Sequence, residues 1–412
     1  MEIKDCIVFY GPELTPYWCD RIVISGDTIA TIDRRKPCQS IDQGALVLIP
    51  GLINSHTHMG DSCLPDGATG LTLEEGFFRP HGYKYRELAK RSETEHLVHI
   101  ESHLRYMART GTVCHVDFRE QGLYGTQLLR QASESTGVHS VILGQFDALP
   151  FDGAALTANC DQLDEDAIAT LQTLLDQADG FSESTMNDLT DPAWQQIYRV
   201  TQERGKLRAI HCLENDGYRS ESLRITGRGD LERALDLYHP DLVIHATVAN
   251  TKEQRLLSEH RVNVVLNPRA NCNLGLPIAP IAQLLNYEAN LLLGTDNGLL
   301  NSPNLFAELD FTYKIAKSQF GDAVQPHPAD ILKMVTSNLQ NVINDEIYGY
   351  LAPGLPADFV VLNFHQPHLR ASRHLVASAV TRVTPADILG TFRQGKALYA
   401  APSLAKELGL GV

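Results

Sequence analysis

The chain has 412 residues, 43% hydrophobic and 21% charged, with a formal net charge of −15, a profile that fits a soluble globular protein with one large domain plus a smaller satellite, or with two or three ordinary domains. That charge argues against nucleic acid or an anionic membrane as partner, and no run approaches the roughly 18 to 20 apolar residues of a membrane span. Met1–Leu14 lacks a basic stretch leading into an apolar one, so it does not read as a secretory signal, and the eight scattered cysteines form no CxxC pair; a reduced, cytoplasmic setting is expected.

The first fifty residues read as short strands. Arg21–Ser25 and Thr28–Ile32 flank Gly26-Asp27, a two-residue hairpin signal. Ala45–Ile49 is a further apolar run. From Leu52–Ser55 onward the pattern changes to short apolar runs alternating with helical stretches. A helix is expected over 84–110, where Leu88, Leu97, Ile100, Leu104 and Met107 recur at helical spacing. Strands follow at Thr112–Val116, Val138–Leu143, Asp179–Phe181, Leu207–Cys212, Leu242–Ala246, Val262–Leu266 and Asn290–Thr295. Helices are expected near 125–136, from Asp164, from Asp191-Pro192 to Gly205, and as a pair over 303–341. Asp358–Leu362 then returns to strand character.

Eight β-then-α units point to an α/β chain built as a parallel (β/α)₈ TIM-type barrel. An open doubly wound sheet would carry a Gly-rich phosphate loop after its first strand, which Gly51–Gly60 is not. The strand-rich segments 1–50 and 351–412 are expected to pair as a small β domain, leaving 51–350 as the barrel.

The chemistry lies in where histidines and acids fall along those strands. His56 and His58 close the first strand two residues apart, so both imidazoles face one way. His211 closes the fifth, His245 the sixth and Asp296 the eighth. The C-terminal ends of barrel strands meet at one mouth, so residues far apart in sequence become neighbours there. Three imidazoles and a carboxylate suit Zn²⁺ ahead of Fe²⁺, with one position open for water. A single strand-end histidine is more often structural; four of them plus an acid, each at a strand end, are hard to obtain by chance.

At this point the sequence resembles the amidohydrolase superfamily, most closely its branch of cytosine, guanine and adenosine-type deaminases and chlorohydrolases. Leu48–His58 matches the first-strand signature, His211-Cys212-Leu213-Glu214 the HxxE motif, Asn267–Gly275 the seventh-strand loop with Ala270 where Ser is usual, and Leu293-Gly294-Thr295-Asp296 the eighth-strand motif. The resemblance implies His56, His58, His211 and Asp296 as ligands of one divalent metal. It implies His245 as a residue orienting the water, Glu214 as the proton shuttle and Asp296 as a second proton acceptor. The carboxylated lysine that bridges two metals in other branches is excluded, because no lysine lies between Lys90 and Lys206; Glu183 is the one carboxylate left as an alternative bridge.

Substrate contacts are weaker expectations: Gln145 at the end of the third strand, and His81 in the loop after the first. Cys114, His115 and Cys212 read as packing residues within strands, and His96, His99 and His103 as one face of an outer helix. The expected reaction is hydrolytic deamination of an aminated nitrogen heterocycle, with cleavage of a cyclic amide or displacement of chloride as the alternative and a catalytically dead scaffold as a third. The expected partners are a small-molecule substrate and further copies of the chain, as a dimer or larger.

Overall fold

The computed structural model describes residues 1–340, 342–343 and 347–410. The end of the expected helix pair at 341, and residues 344–346 and 411–412 of the two expected domains, lie outside them. The first barrel strand, Leu52–His58, and the second, Thr112–Arg119, are buried at every position, as strands covered on both faces must be. His139–Gly144, Gly180–Glu183, Leu207–Cys212, Leu242–His245 and Asn263–Leu266 continue the sheet, each parallel to the one before. The eighth strand is broken. Its first piece, Leu291–Leu293, pairs with the seventh strand, and its second, Asp296–Asn297, pairs with the first at Asp296↔Thr57 and Asn297↔His58. That break closes the sheet into a TIM-type barrel.

The chain ends supply a second sheet of seven strands. Its order is Lys396–Ala400, Ile388–Arg393, Phe359–Asn363, Leu46–Pro50, Glu2–Tyr10, Thr15–Ser25 and Thr28–Pro37. The hairpin expected at Gly26-Asp27 is there, with Gly26 at φ +63°. This sheet has its own core of Ile3, Cys6, Val8, Ile22, Phe359, Val361 and Phe392. No helix among the described residues is long and apolar enough to cross a membrane.

Most helices begin where their caps require. Asp164 accepts from Ala167 N at 2.8 Å and opens Glu165–Gln177; Thr190, one residue before the expected start, caps Asp191–Glu203. The expected single helix over 84–110 is instead two, Tyr83–Leu88 and Glu93–Arg109. The reason is a capping box: Ser92 Oγ accepts from Glu95 N while Glu95 Oε2 accepts from Ser92 N, and these bonds end one helix and start another. The apolar spacing continues across the break, which is why periodicity alone joined the two. The pair expected over 303–341 is Leu305–Phe320 and Pro328–Lys333.

Closure depends on a glycine. A methyl group at Gly294 would lie 2.5 Å from Asn267 Oδ1, 2.6 Å from His56 Cβ and 2.8 Å from His56 N. Gly294→Ala should therefore force the first and eighth strands apart and lower unfolding stability by about 1–3 kcal/mol, the usual effect of overpacking. A denaturant midpoint that falls at unchanged slope is the expected result; an unmoved midpoint would mean that the eighth strand relaxes freely.

Candidate active site

The parallel register sets His56, His58, His211, His245 and Asp296 at one end of the barrel. His211 is level with Ile244 and His245 with Cys212 across the fifth and sixth strands. The rings of His56 and His211 lie 5.0 Å apart, and those of His58 and His211 5.6 Å apart and nearly parallel. Asp296 Oδ1 lies 3.3 Å from His56 Nε2 and 3.7 Å from His58 Nε2. Asp296 holds φ at +63° and His245 at +79°. Such left-handed backbone at a non-glycine residue costs about 1–3 kcal/mol and collects at functional sites.

Among the described residues two donor groups are close enough to hold an ion, each with its candidate ligand atoms within 4.8 Å of one another: His56, His58 and His211, and His56, His245 and Asp296. Hydrogen bonds tell the histidines apart. His58 Nδ1 faces Glu120 Oε1 at 2.9 Å and Phe118 O at 3.1 Å, and His211 Nδ1 faces Glu183 O at 3.2 Å. An acceptor at Nδ1 keeps the proton there and leaves the Nε2 lone pair facing inward, the arrangement of metal-binding histidines. His245 is the reverse. Asn271 Nδ2 donates to its Nδ1 at 3.1 Å, so the proton sits on Nε2, which lies 3.7 Å from Glu214 Oε1. His245 is thus built to donate a hydrogen bond into the site.

His56 provides the test of fit for an ion. It is fully buried; among the described residues its Nδ1 has no hydrogen-bond partner and its Nε2 faces only Asp296 Oδ1, at 3.3 Å and poorly aligned, an arrangement that costs stability unless a ligand completes it. Burial pushes its imidazole down to about 3 and, with the neighbouring imidazoles, holds His211 well below its usual value. Burial alone would raise the Asp296 carboxyl, yet the imidazoles of His56, His245 and His58 outweigh it and hold it below the carboxylate range. His56 and His211, held neutral, and one ionised oxygen suit a divalent metal, while the His58 imidazole is raised by the Glu120 and Asp296 carboxylates against its burial. Glu214 is shifted the other way, raised by burial.

Beside these groups lies a pocket of about 420 Å³ lined by His58, His211, Glu214, His245 and Asp296, with Leu73, Phe77, Tyr85, Tyr218 and Leu274 as its apolar and aromatic wall and Lys84, Ser184 and Asn297 as its other polar members. Phe78 stacks on Tyr218 at 5.3 Å and braces that wall.

The two expected substrate contacts are not among these lining residues. His81 is exposed. Gln145 is buried and, just past the third strand's end at Gly144, lines a separate recess with Tyr124, Phe146 and Asp147. Arg79, Lys84 and Tyr85, near His81 in sequence, reach inward. Glu183 is not free to bridge metals: its carboxylate takes Arg79 Nη1 at 2.6 Å and Phe146 N at 3.0 Å. His115 is held between Thr57 and Ser140, and His96 against Leu88 O. Glu120 and Lys84 were missed by sequence reasoning. Glu120 directly follows the second strand, so the strand-end rule that singles out the histidines reaches it too; nothing in the sequence points to Lys84.

The model of the Amidohydrolase family matches residues 47–398. A protein of Methanothermobacter thermautotrophicus bearing the name "Putative aminohydrolase" is 32% identical over 88% of this chain and 91% of its own length. The 5-methylthioadenosine/S-adenosylhomocysteine deaminase of Caldanaerobacter subterraneus is 24% identical over 92% of this chain and 88% of its own. Among solved structures, an adenosine deaminase from Xanthomonas campestris with bound zinc superposes with a TM-score of 0.80 at 19% identity, covering 98% of this chain and 97% of its own. The chain belongs to the amidohydrolase family and is a hydrolase acting on C–N bonds.

Proposed function

We propose that the protein is a hydrolytic deaminase of an aminated nitrogen heterocycle that uses one divalent metal, Zn²⁺ ahead of Fe²⁺. The observation that carries this is a buried carboxylate, Glu214, facing His245 Nε2 at 3.7 Å beside a pocket walled by aromatic rings. The deaminase names among relatives and structural neighbours support the same reading. In this reading the metal is held by His56, His58, His211 and Asp296. When bound it supplies a water acidic enough to be deprotonated near neutral pH. A single ion is favoured because no lysine lies between Lys90 and Lys206 and the Glu183 carboxylate is already engaged. The division into a barrel, 51–350, and a β domain, 1–50 with 351–412, is part of the same proposal and is supported by the seven-stranded sheet.

The chain's own groups divide the proton work. Asp296, ionised and acceptor-only, takes a proton from the attacking water. Glu214, raised by burial and so ready to carry a proton, gives its proton to the ring nitrogen beside the attacked carbon and regains one from the added hydroxyl as the carbonyl forms, while the proton taken up by Asp296 passes to the departing amine. His245 donates Nε2–H to the oxygen on which charge develops. Water adds at the carbon that bears the amine, the C–N bond breaks, and ammonia leaves with a carbonyl remaining on the ring. Phe77, Tyr85 and Tyr218 give the planar ring apolar faces to lie against.

His211→Ala removes one donor without touching the other ligands and should sharply lower both metal content and turnover. The parent should carry about one metal per chain by elemental analysis, as a single mononuclear site requires. Two tightly held ions, or full metal content in His211→Ala, would overturn the site.

Three nearly isosteric changes separate holding the metal from moving protons. Glu214→Gln keeps size and a hydrogen-bonding oxygen but cannot exchange a proton. It should retain metal and substrate binding while kcat falls by roughly 10²-fold or more, the scale of general acid–base catalysis. His245→Asn should behave likewise, whereas Asp296→Asn should lose metal as well. The measurement is ammonia release over aminopurines, aminopyrimidines and pterins with metal-reconstituted enzyme. Turnover of Glu214→Gln at the parent rate would make Glu214 a loop residue only.

A further inference from the structure

The segment that covers the mouth after the first strand sends two buried cations into the site's supports. Lys84, in the short helix Tyr83–Leu88, pairs with Glu120 and lies 3.4 Å from Asp61 Oδ2. Lys84, Glu120 and Asp61 are each at most 2% exposed. Glu120 is the carboxylate that faces His58 Nδ1. Asp61 in turn accepts from Asn297 Nδ2 at 2.6 Å and Leu299 N at 3.1 Å, just past Asp296. Five residues earlier, Arg79 pairs with Glu183, whose backbone carbonyl faces His211 Nδ1, and also donates to Phe146 O and Asp147 O. Each cation therefore grips the residue that orients one inward-facing imidazole. Tyr85, next to Lys84, lines the pocket itself.

A buried ion pair is a poor way to gain stability, since apolar residues of the same shape serve as well or better. Two of them, both from one covering segment and both ending on the supports of site histidines, call for another explanation. We propose that Lys84 and Arg79 are positioning residues that couple closure of the 79–88 segment over the pocket to the alignment of His58 and His211, so that a bound metal and a closed cover favour each other. This rests on His58 and His211 being ligands. Removing Lys84 takes away the main counter-charge of Glu120 and leaves Arg119 Nη1, 3.3 Å from Glu120 Oε2, as its remaining cation, so that the carboxylate is held less firmly against His58. By linkage, whatever factor the closed cover adds to metal affinity, the metal adds to closure.

The test is zinc affinity of the metal-stripped protein, read by competition with a chromogenic chelator at one pH. Variants are His58→Ala, Lys84→Met, Arg79→Met, Glu120→Gln and the Lys84→Met/Glu120→Gln pair. Lys84→Met and Arg79→Met should each weaken zinc by about tenfold or more, as loss of a ligand's support does. The Lys84/Glu120 pair should be no weaker than its worse single, because both act through His58. A purely structural ion pair would lower thermal stability but leave zinc affinity within about twofold of the parent, the ordinary scatter between independent sites, and that result overturns the proposal. Should Lys84→Met not fold, amide exchange over 79–88 in the parent decides. Slowing by zinc of about fivefold or more supports coupling, and exchange indifferent to zinc rejects it. If His58→Ala also keeps parent affinity, the ligand assignment fails; if only His58→Ala weakens zinc, the coupling alone fails.

Discussion

The structure turns on a fully buried imidazole, His56, whose Nδ1 finds no partner among the described residues and whose Nε2 faces only Asp296 Oδ1 in poor alignment. A buried polar atom left unpaired costs about 1–3 kcal/mol. The left-handed backbone at Asp296 and His245 adds strain of similar size at each residue. A fold retains such defects at one spot when something outside the polypeptide completes it. A ligand present at a thousand times its Kd stabilises the folded state by about 4 kcal/mol, which is enough to offset defects of this kind. The close contact of Gly294 with His56 belongs to the same constraint, because the eighth strand must approach the first tightly to bring Asp296 within 3.3 Å of His56 Nε2.

Around that point the protein sorts similar residues into different chemistry by controlling what sits behind them. His58, His211 and His245 share side-chain type, burial and barrel mouth. They differ in whether Nδ1 meets an acceptor or a donor: Glu120 and Glu183 O for the first two, the Asn271 amide for the third. Carboxylates are sorted likewise. Asp296 stands among imidazoles and is held low, whereas Glu214 is raised by burial. Two acids pushed apart in this way suit an accepting and a delivering role for protons at one pH.

What could be read from the sequence follows from which features are local. The period of two in a strand makes His56-Thr57-His58 converge, and the strand-end positions of His211, His245 and Asp296 follow from apolar runs that are easy to see. The parallel barrel is legible from the same runs. Legibility fails where tertiary structure overrides a local pattern. The spacing from Leu88 to Met107 stays helical through the Ser92–Glu95 capping box, so two helices read as one, although the Ser-x-x-Glu signal was present. Lys84 looks like any surface lysine, and only the folded loop places it against Glu120. Gln145 lies just past the end of its strand, in a loop that carries no periodicity to show which recess it lines.

The division of labour between strands and loops explains how this site could change substrate without rebuilding its chemistry. The inward-facing imidazoles and Asp296 stand on barrel strands, whose registers are fixed on both sides. The pocket's apolar wall comes from loop-borne residues after the first, fifth and seventh strands: Leu73, Phe77 and Tyr85, then Tyr218, then Leu274. Loops can exchange such residues at little cost to the barrel. The covering segment is the exception. Lys84 and Tyr85 are neighbours in one helical turn, where successive side chains diverge by about 100°. One is tied to Glu120 behind His58, and the other lines the pocket. A change that moved this turn to admit a larger ring would therefore also move a support of the metal site, so substrate range and metal retention are bound together at this loop while the Tyr218 and Leu274 walls remain free to vary.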